Sequence, residues 1–220
     1  MTSPPPSVGT VVVPTADRLE ALTRCLPALS AQFRAFQHEP RLVVVDGSRR
    51  DAPAVRDFVT GYERGAEYLG AEAAGTLTNA LREAGVAGEV LRWGLSPGAV
   101  GSNRNLAVLS TAGGSLLMLD DDVRFEPWGP EQPADAIILA GHADLRDWRF
   151  FDSRQHAFDA AGGSRVDLVG AHGQLLGASL QTILDRSPVP PNTERICSHL
   201  KAMAETGAPA RVRVTFSGLA

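Results

Sequence analysis

Two short β-branched runs separated by an amphipathic helix constrain this chain more than any other feature. Thr10–Val13 and Arg41–Val45 are compact apolar segments, the composition of strands buried on both faces. Between them Leu19, Leu22, Leu26, Leu29, Phe33 and Phe36 recur at three- and four-residue spacing, which is one face of a helix. Strand, helix and strand in that order make a βαβ unit, hence a parallel pair joined by a right-handed crossover. Pro14 is expected to end the first strand. Asp17 and Glu20 stand in capping-box positions, so the helix should begin near Arg18, and Pro27 predicts a kink or break within it.

The alternation continues. Pro53 fits the first turn of a second helix that runs to about Gly61. Ala71–Gly85 is alanine-rich and helical. Val90, Leu91 and Trp93 suggest a third strand. Ala99–Ala112 reads as a helix with Leu106, Val108 and Leu109 buried. Ser115–Leu119 is a short apolar strand that runs into Asp120-Asp121-Asp122. Beyond Pro127-Trp128 the pattern weakens. Ala136–Ala140 reads as a strand, Val169–Leu184 as a helix despite its glycines, and the proline-rich Ser187–Asn192 as a loop. Thr193–Ala204 reads as a helix and Arg211–Phe216 as a strand. Met1–Gly9, with three prolines, is expected to be a disordered lead-in. The expected organisation is one α/β domain with a mostly parallel central sheet flanked by helices. Its first half spans 10–127 and its second 128–220.

A chain of 220 residues can bury a real core as one domain, or as one with a small subdomain. The net charge of −4 argues against nucleic acid as a partner, whose binders carry a basic footprint. Cys25 and Cys197 are far apart and lack the C-x-x-C spacing of a zinc or redox site, which suits a reducing cytoplasm. No apolar run approaches the roughly 18–20 residues that span a bilayer, so no integral membrane segment is expected.

Polar or acidic groups follow three separate strands: Thr15 to Arg18, Asp46 to Ser48, and Asp120 to Asp122. In a parallel sheet all three ends lie on one edge, where ligands of open α/β sheets bind. Adjacent aspartates repel one another, and hard oxygen ligands favour Mg²⁺ or Mn²⁺. Taken singly, each has a plainer reading. Thr15 could cap a helix, Arg18 and Arg104 could be solvated, and Asp46-Gly47-Ser48 could be a turn. Asn105 suits packing or capping.

The ordered runs VVVPTADRLEALTRCL, RLVVVDGSRRD and GSNRNLAVLSTAGGSLLMLDDD resemble the nucleotide-sugar half of the family-2 glycosyltransferases, which have the GT-A fold, a Rossmann-like architecture. The resemblance covers roughly residues 8–127. It implies transfer of a sugar from a nucleotide diphosphate sugar, UDP- or GDP-linked, to an unidentified acceptor. It further implies inversion at the anomeric carbon and a divalent cation, Mn²⁺ or Mg²⁺. Thr15 and Arg18 match positions lining the nucleotide site, and Asp46 the residue on the base. Arg104 matches the arginine near the diphosphate. Asp120 and Asp122 match the Asp-x-Asp pair: Asp120 towards ribose or metal, Asp122 on the metal. Asp121 would then be a spacer, pointing the other way on an extended backbone.

The family's Glu-Asp pair in the second half is incomplete here. Glu194, after Pro190-Pro191, is the candidate catalytic base, and its aspartate neighbour is absent. Asp144, Asp147 and Asp152 compete for that role. His142, His156, His172 and His199 have no metal-ligand spacing, and Trp128 and Trp148 suit core packing or sugar stacking. Two alternatives stand beside the transferase reading. One is a sugar-nucleotide-binding protein without catalysis. The other is a nucleotidyltransferase, which usually carries a glycine-rich loop and lysine after the first strand, both missing from Val13-Pro14-Thr15.

Overall fold

The computed structural model describes residues 8–96, 100–123 and 164–186, together with 125, 127–129, 150–153, 155, 156, 159 and 212. The chain divides between residues 126 and 127 into two compact units.

The first unit is an α/β sandwich. Strands β1 (Thr10–Thr15), β2 (Arg41–Asp46), β3 (Glu67–Leu69) and β4 (Leu116–Met118) form one sheet in the order β3-β2-β1-β4. All its pairings are parallel, with Thr15 level with Asp46, Val45 with Leu69 and Val12 with Met118. Helices α1 (Leu19–Ala35) and α2 (Ala52–Thr60) connect β1 to β2 and β2 to β3. The return from β3 to β4 runs through α3 (Ala71–Glu83), α4 (Gly88–Leu95) and α5 (Val100–Ser110). The chain therefore steps outward from β1 to β3 and comes back to the other side of β1. The strand order reverses between β1 and β4.

Both sheet faces are covered, as a parallel sheet requires. Val11, Val12, Val13, Val43, Val44 and Val45 are all wholly buried. On one face Val12, Val43 and Val45 pack with Leu91 and Leu95 of α4 and Leu106 and Ala107 of α5. By strand alternation Val11, Val13 and Val44 point to the other face. Helices α1 and α2 bury Leu22, Leu26, Leu29, Phe33, Val55 and Val59 completely.

Several local expectations change. Strand β1 runs through Pro14 to Thr15. Leu119 N–H donates to Val12 O, so Val12 turns its polar groups towards β4, while Gly47 N–H donates to Thr15 O on the β2 side. Pro14 shares the parity of Val12 and lies beyond the end of β4. Its missing N–H costs no ladder bond there. Helix α1 likewise continues through Pro27 without a break in its assignment. Val8 and Gly9 are already part of the unit: Val8 is buried, and Gly9 N–H donates to Ser115 Oγ at 2.8 Å.

The third strand is not Val90–Trp93. That segment is helix α4, which buries Leu91 and Leu95 one turn apart and leaves Val90 and Trp93 exposed. The strand is Glu67–Leu69, whose Glu67 pairs with Arg41 of β2 on the solvent side. In α5 the buried pair is Leu106 and Ala107, whereas Val108 and Leu109 are exposed.

In the second unit, β5 (Trp128–Gly129) and β6 (Ser164–Arg165) form an antiparallel ribbon. The helix expected over Val169–Leu184 is two helices, α6 (Leu168–Leu175) and α7 (Leu180–Arg186). Gly177 between them has φ +77°, a left-handed turn that glycine enters without a Cβ penalty. Asp167 caps α6 by accepting from Gly170 N–H at 2.8 Å. The strand expected at 136–140, the loop at 187–192, the helix at 193–204 with Glu194, and the strand at 211–216 lie outside the described residues, apart from Val212. So do Asp144, Asp147, His142, His199 and Trp148. Among the described residues no helix is long and apolar enough to cross a membrane.

Candidate functional site

The register brings Thr15, Asp46 and the segment after Met118 to one edge of the sheet. The gap between β1 and β4, where strand order reverses, is filled by side chains of the two flanking loops. Thr15 Oγ1 donates to Asp121 Oδ2 at 2.7 Å, and both residues are buried. Arg18 spans two acids, with Nη1 2.9 Å from Asp121 Oδ1 and Nη2 3.0 Å from Asp122 Oδ2. Arg104, from α5, sets Nη2 2.7 Å from Asp120 Oδ1. The side chains of Arg18, Arg104, Asp120 and Asp122 are each about half exposed, whereas that of Asp121 is only 4% exposed.

Asp121 is therefore not a spacer that points away. Strand β4 ends at Met118 and the chain turns at Asp121-Asp122, so strand alternation no longer governs the acids. Asp121 is the anchored member of the three, and it shares Arg18 with Asp122. The hydrogen bond that Arg18 donates to Asp122, and then the charge of Asp121, raise the affinity of the guanidinium for its proton. Beneath them Cys25 is buried, with Sγ 4.0 Å from Asp120 O. Burial, followed by the charges of Asp121 and Asp122, pushes its thiol up to about 12, so it stays protonated and unreactive.

Asp46, at the end of β2, is buried and doubly held. Its Oδ1 accepts from Ser48 N–H at 2.8 Å and its Oδ2 from the Tyr68 hydroxyl at 2.8 Å. Burial and then Asp46 push the Tyr68 phenol up to about 12, which keeps it a donor. Beside Asp46 lies an open cavity of about 450 Å³, counting its mouth, lined among others by Gly47, Leu95, Ser102, Asn103 and Leu106. Asn103 lies across Gly47 and donates from Nδ2 to Thr15 O at 3.0 Å. A Cβ at Gly47 would stand 2.5 Å from that Nδ2, so only glycine fits beneath the amide. Asn105, by contrast, donates to Gly94 O between α4 and α5 and is structural.

Asp17 does something the capping-box reading did not anticipate. Helix α1 has Arg18 at its cap position, without a side-chain cap bond. Asp17 adopts φ +53°, and its Oδ1 accepts from the backbone N–H groups of Arg49, Arg50 and Asp51, at 3.0, 2.8 and 3.1 Å. It thus caps α2 across the sheet edge. Its own N–H donates to Ser48 Oγ at 2.7 Å, so the loops after β1 and β2 are tied together. These bonds, that from Arg50 first and Asp51 next, hold the Asp17 carboxyl below its usual range. A depressed folded value means the stabilisation is complete above the unfolded pKa and is lost as pH falls through the folded one. Asp17→Asn is expected to flatten the fall of the thermal midpoint below about pH 4. A variant that keeps the parent's slope in a Tm-against-pH series would rule Asp17 out as its source.

Of the residues singled out in the sequence, Thr15, Arg18, Asp120, Asp122 and Arg104 meet in one cluster with Asp121, and Asp46 lines the cavity on the same edge. Asp152 and His156, in the other unit, are exposed. His172 is buried, and desolvation lowers its pKa. Sequence reasoning missed Tyr68, Ser102, Asn103 and the roles of Asp17 and Asp121. Tyr68 was hidden because its three-residue strand carries no apolar alternation. Asn103 adjoins a recognised arginine but has no signal of its own.

The fold and this edge define a Rossmann-like α/β protein with an arginine–aspartate cluster at its strand-order reversal. No family model, curated protein or solved structure matches the chain.

Proposed function

We propose that this chain is a cytoplasmic, metal-dependent glycosyltransferase that draws its sugar from a UDP- or GDP-linked donor. The observation that carries the reading is the cluster at the β1–β4 reversal, where two half-exposed arginines stand among three aspartates, with the Asp46 cavity on the same edge. The Asp122 arm of Arg18 and the Arg104–Asp120 pair can exchange carboxylate for phosphate oxygens at little cost, because exposed ion pairs are worth about 1 kcal/mol or less. Guanidinium pairs well with the oxygens of a diphosphate. The exchange releases Asp120 and Asp122.

Among the described residues no group of three or more His, Cys, Asp or Glu side chains could hold a metal ion. The donors nonetheless fit in kind, since Mg²⁺ is usually held by one or two carboxylates together with substrate phosphates. Asp120 and Asp122 would hold the cation, which when bound neutralises charge growing on the leaving diphosphate. Asp121 keeps Arg18 aimed at the cluster during the exchange. Asp46, with both oxygens oriented from behind by Ser48 and Tyr68, is an acceptor for a ring N–H of the base. Glu194 is retained as the proposed base for the acceptor nucleophile.

One observation favours a second reading, a sugar-nucleotide-binding protein without turnover. All three aspartates already have partners within the chain in Thr15, Arg18 and Arg104, so two of their three charges are balanced without a metal ion. Incubation with Mn²⁺ and a panel of UDP- and GDP-sugars, with free nucleoside diphosphate as the readout, separates the two. Absence of nucleotide binding by calorimetry sinks both. Binding without turnover over varied acceptors establishes the second.

A further inference from the structure

Ser102 is 6% exposed, and its Oγ has no hydrogen-bond partner among the described residues. A buried hydroxyl without a partner is destabilising, and an acceptor brought by a ligand would relieve it. Ser102 sits in the first turn of α5 and lines the cavity that Asp46 also lines. The remaining wall is largely apolar there, with Leu95, Leu106 and Ala74. Among lining groups that also include Ser48, Arg49, Ser96 and Asn103, the cavity thus has one fixed acceptor and one hydroxyl without a partner beside an apolar surface. That combination suits a flat ring with a few polar atoms on its edge.

We propose that Ser102 is a base-binding residue that donates to the carbonyl beside the ring N–H accepted by Asp46, the carboxylate that sets the choice of base. This rests on the nucleotide reading of the cavity. Asp46 is fixed as an acceptor, because Ser48 N–H and the Tyr68 hydroxyl already donate to its two oxygens. The ring must therefore present a donor to it. The Ser102 hydroxyl then donates to the adjacent carbonyl oxygen. Uracil and guanine each carry an N–H next to a carbonyl. Cytosine and adenine present a ring nitrogen lone pair at that edge, which would face the carboxylate oxygens with no proton between them. The site therefore selects lactam or imide bases.

The test is calorimetry of the full chain with Mn²⁺ and UDP, GDP, CDP or ADP, repeated on Ser102→Ala. The parent is expected to bind UDP or GDP at least about tenfold tighter than CDP and ADP. Ser102→Ala should lose about tenfold towards the preferred nucleotide while its affinity for inorganic pyrophosphate stays unchanged. Its thermal midpoint should hold or rise, because the substitution removes an unsatisfied buried group and favours the helix. A structural serine would lower it. Unchanged affinity of Ser102→Ala for the preferred nucleotide, equal affinity of the parent for CDP, or a lowered midpoint overturns the inference and leaves the nucleotide reading standing. A parent that binds no nucleotide overturns both together.

Discussion

Arg18→Ala is expected to lower the unfolding free energy by about 3 kcal/mol, the low end for breaking a buried ion pair. The reason is Asp121, whose carboxylate is 4% exposed and has Arg18 as its cationic partner. Without the guanidinium, a buried negative charge keeps, among the described residues, the Thr15 hydroxyl as its partner, with Asp120 and Asp122 close by in sequence to repel it. The low end applies because Arg18 itself is half exposed and water partly screens the pair. Asp122→Ala removes only the exposed arm of the same arginine and should cost less than about 1 kcal/mol. Adding Asp121→Asn to Arg18→Ala should restore part of the loss, since the neutral amide can still accept from Thr15 and leaves no charge behind. Urea denaturation of the four proteins at neutral pH checks this. Equal losses for Arg18→Ala and Asp122→Ala would mean that the buried acid does not depend on Arg18.

The contrast bears on how far the sequence could be read. The βαβ core was legible because Thr10–Val13 and Leu42–Val45 are apolar runs buried on both faces. The α1 face was legible because Leu22, Leu26, Leu29 and Phe33 repeat at helical spacing, and all are wholly buried. Strand β3 was not, since three residues beginning with a glutamate at a sheet edge need little hydrophobicity. Val90, Leu91 and Trp93 misled in the opposite sense: a partly exposed helix can carry apolar residues on its outer face. At the site, motif order identified the residues that cluster, but strand alternation was carried past Met118 to Asp121, three residues too far. It treated Asp121 as a spacer although the strand had already ended. Contacts between sequence-distant loops, such as Asp17 with Arg50 or Thr15 with Asp121, are set by sheet register, and no local pattern encodes them.

Asp122→Ala is expected to cut Mn²⁺-dependent release of nucleoside diphosphate by about 10²–10³-fold, the loss typical when one element of charge stabilisation is removed from a leaving group. Asp120→Ala should act in the same direction. Both acids are about half exposed and each pairs with an arginine that the diphosphate is proposed to claim. These two exposed pairs therefore contribute little to folding, and the proteins should unfold near the parent's midpoint. This separates the three neighbours by chemistry: Asp121 is spent on stability, whereas Asp120 and Asp122 remain available to a ligand. Charge supplies the control. Asp122→Asn keeps the size and a hydrogen-bonding oxygen but removes the negative charge that attracts a hard cation, so it should lose activity almost as fully as alanine. If Asp122→Ala still binds nucleotide with an undiminished Mn²⁺ dependence, Asp122 holds no cation. The arginine–aspartate cluster would then be a closed structural network, as the binding-only reading requires.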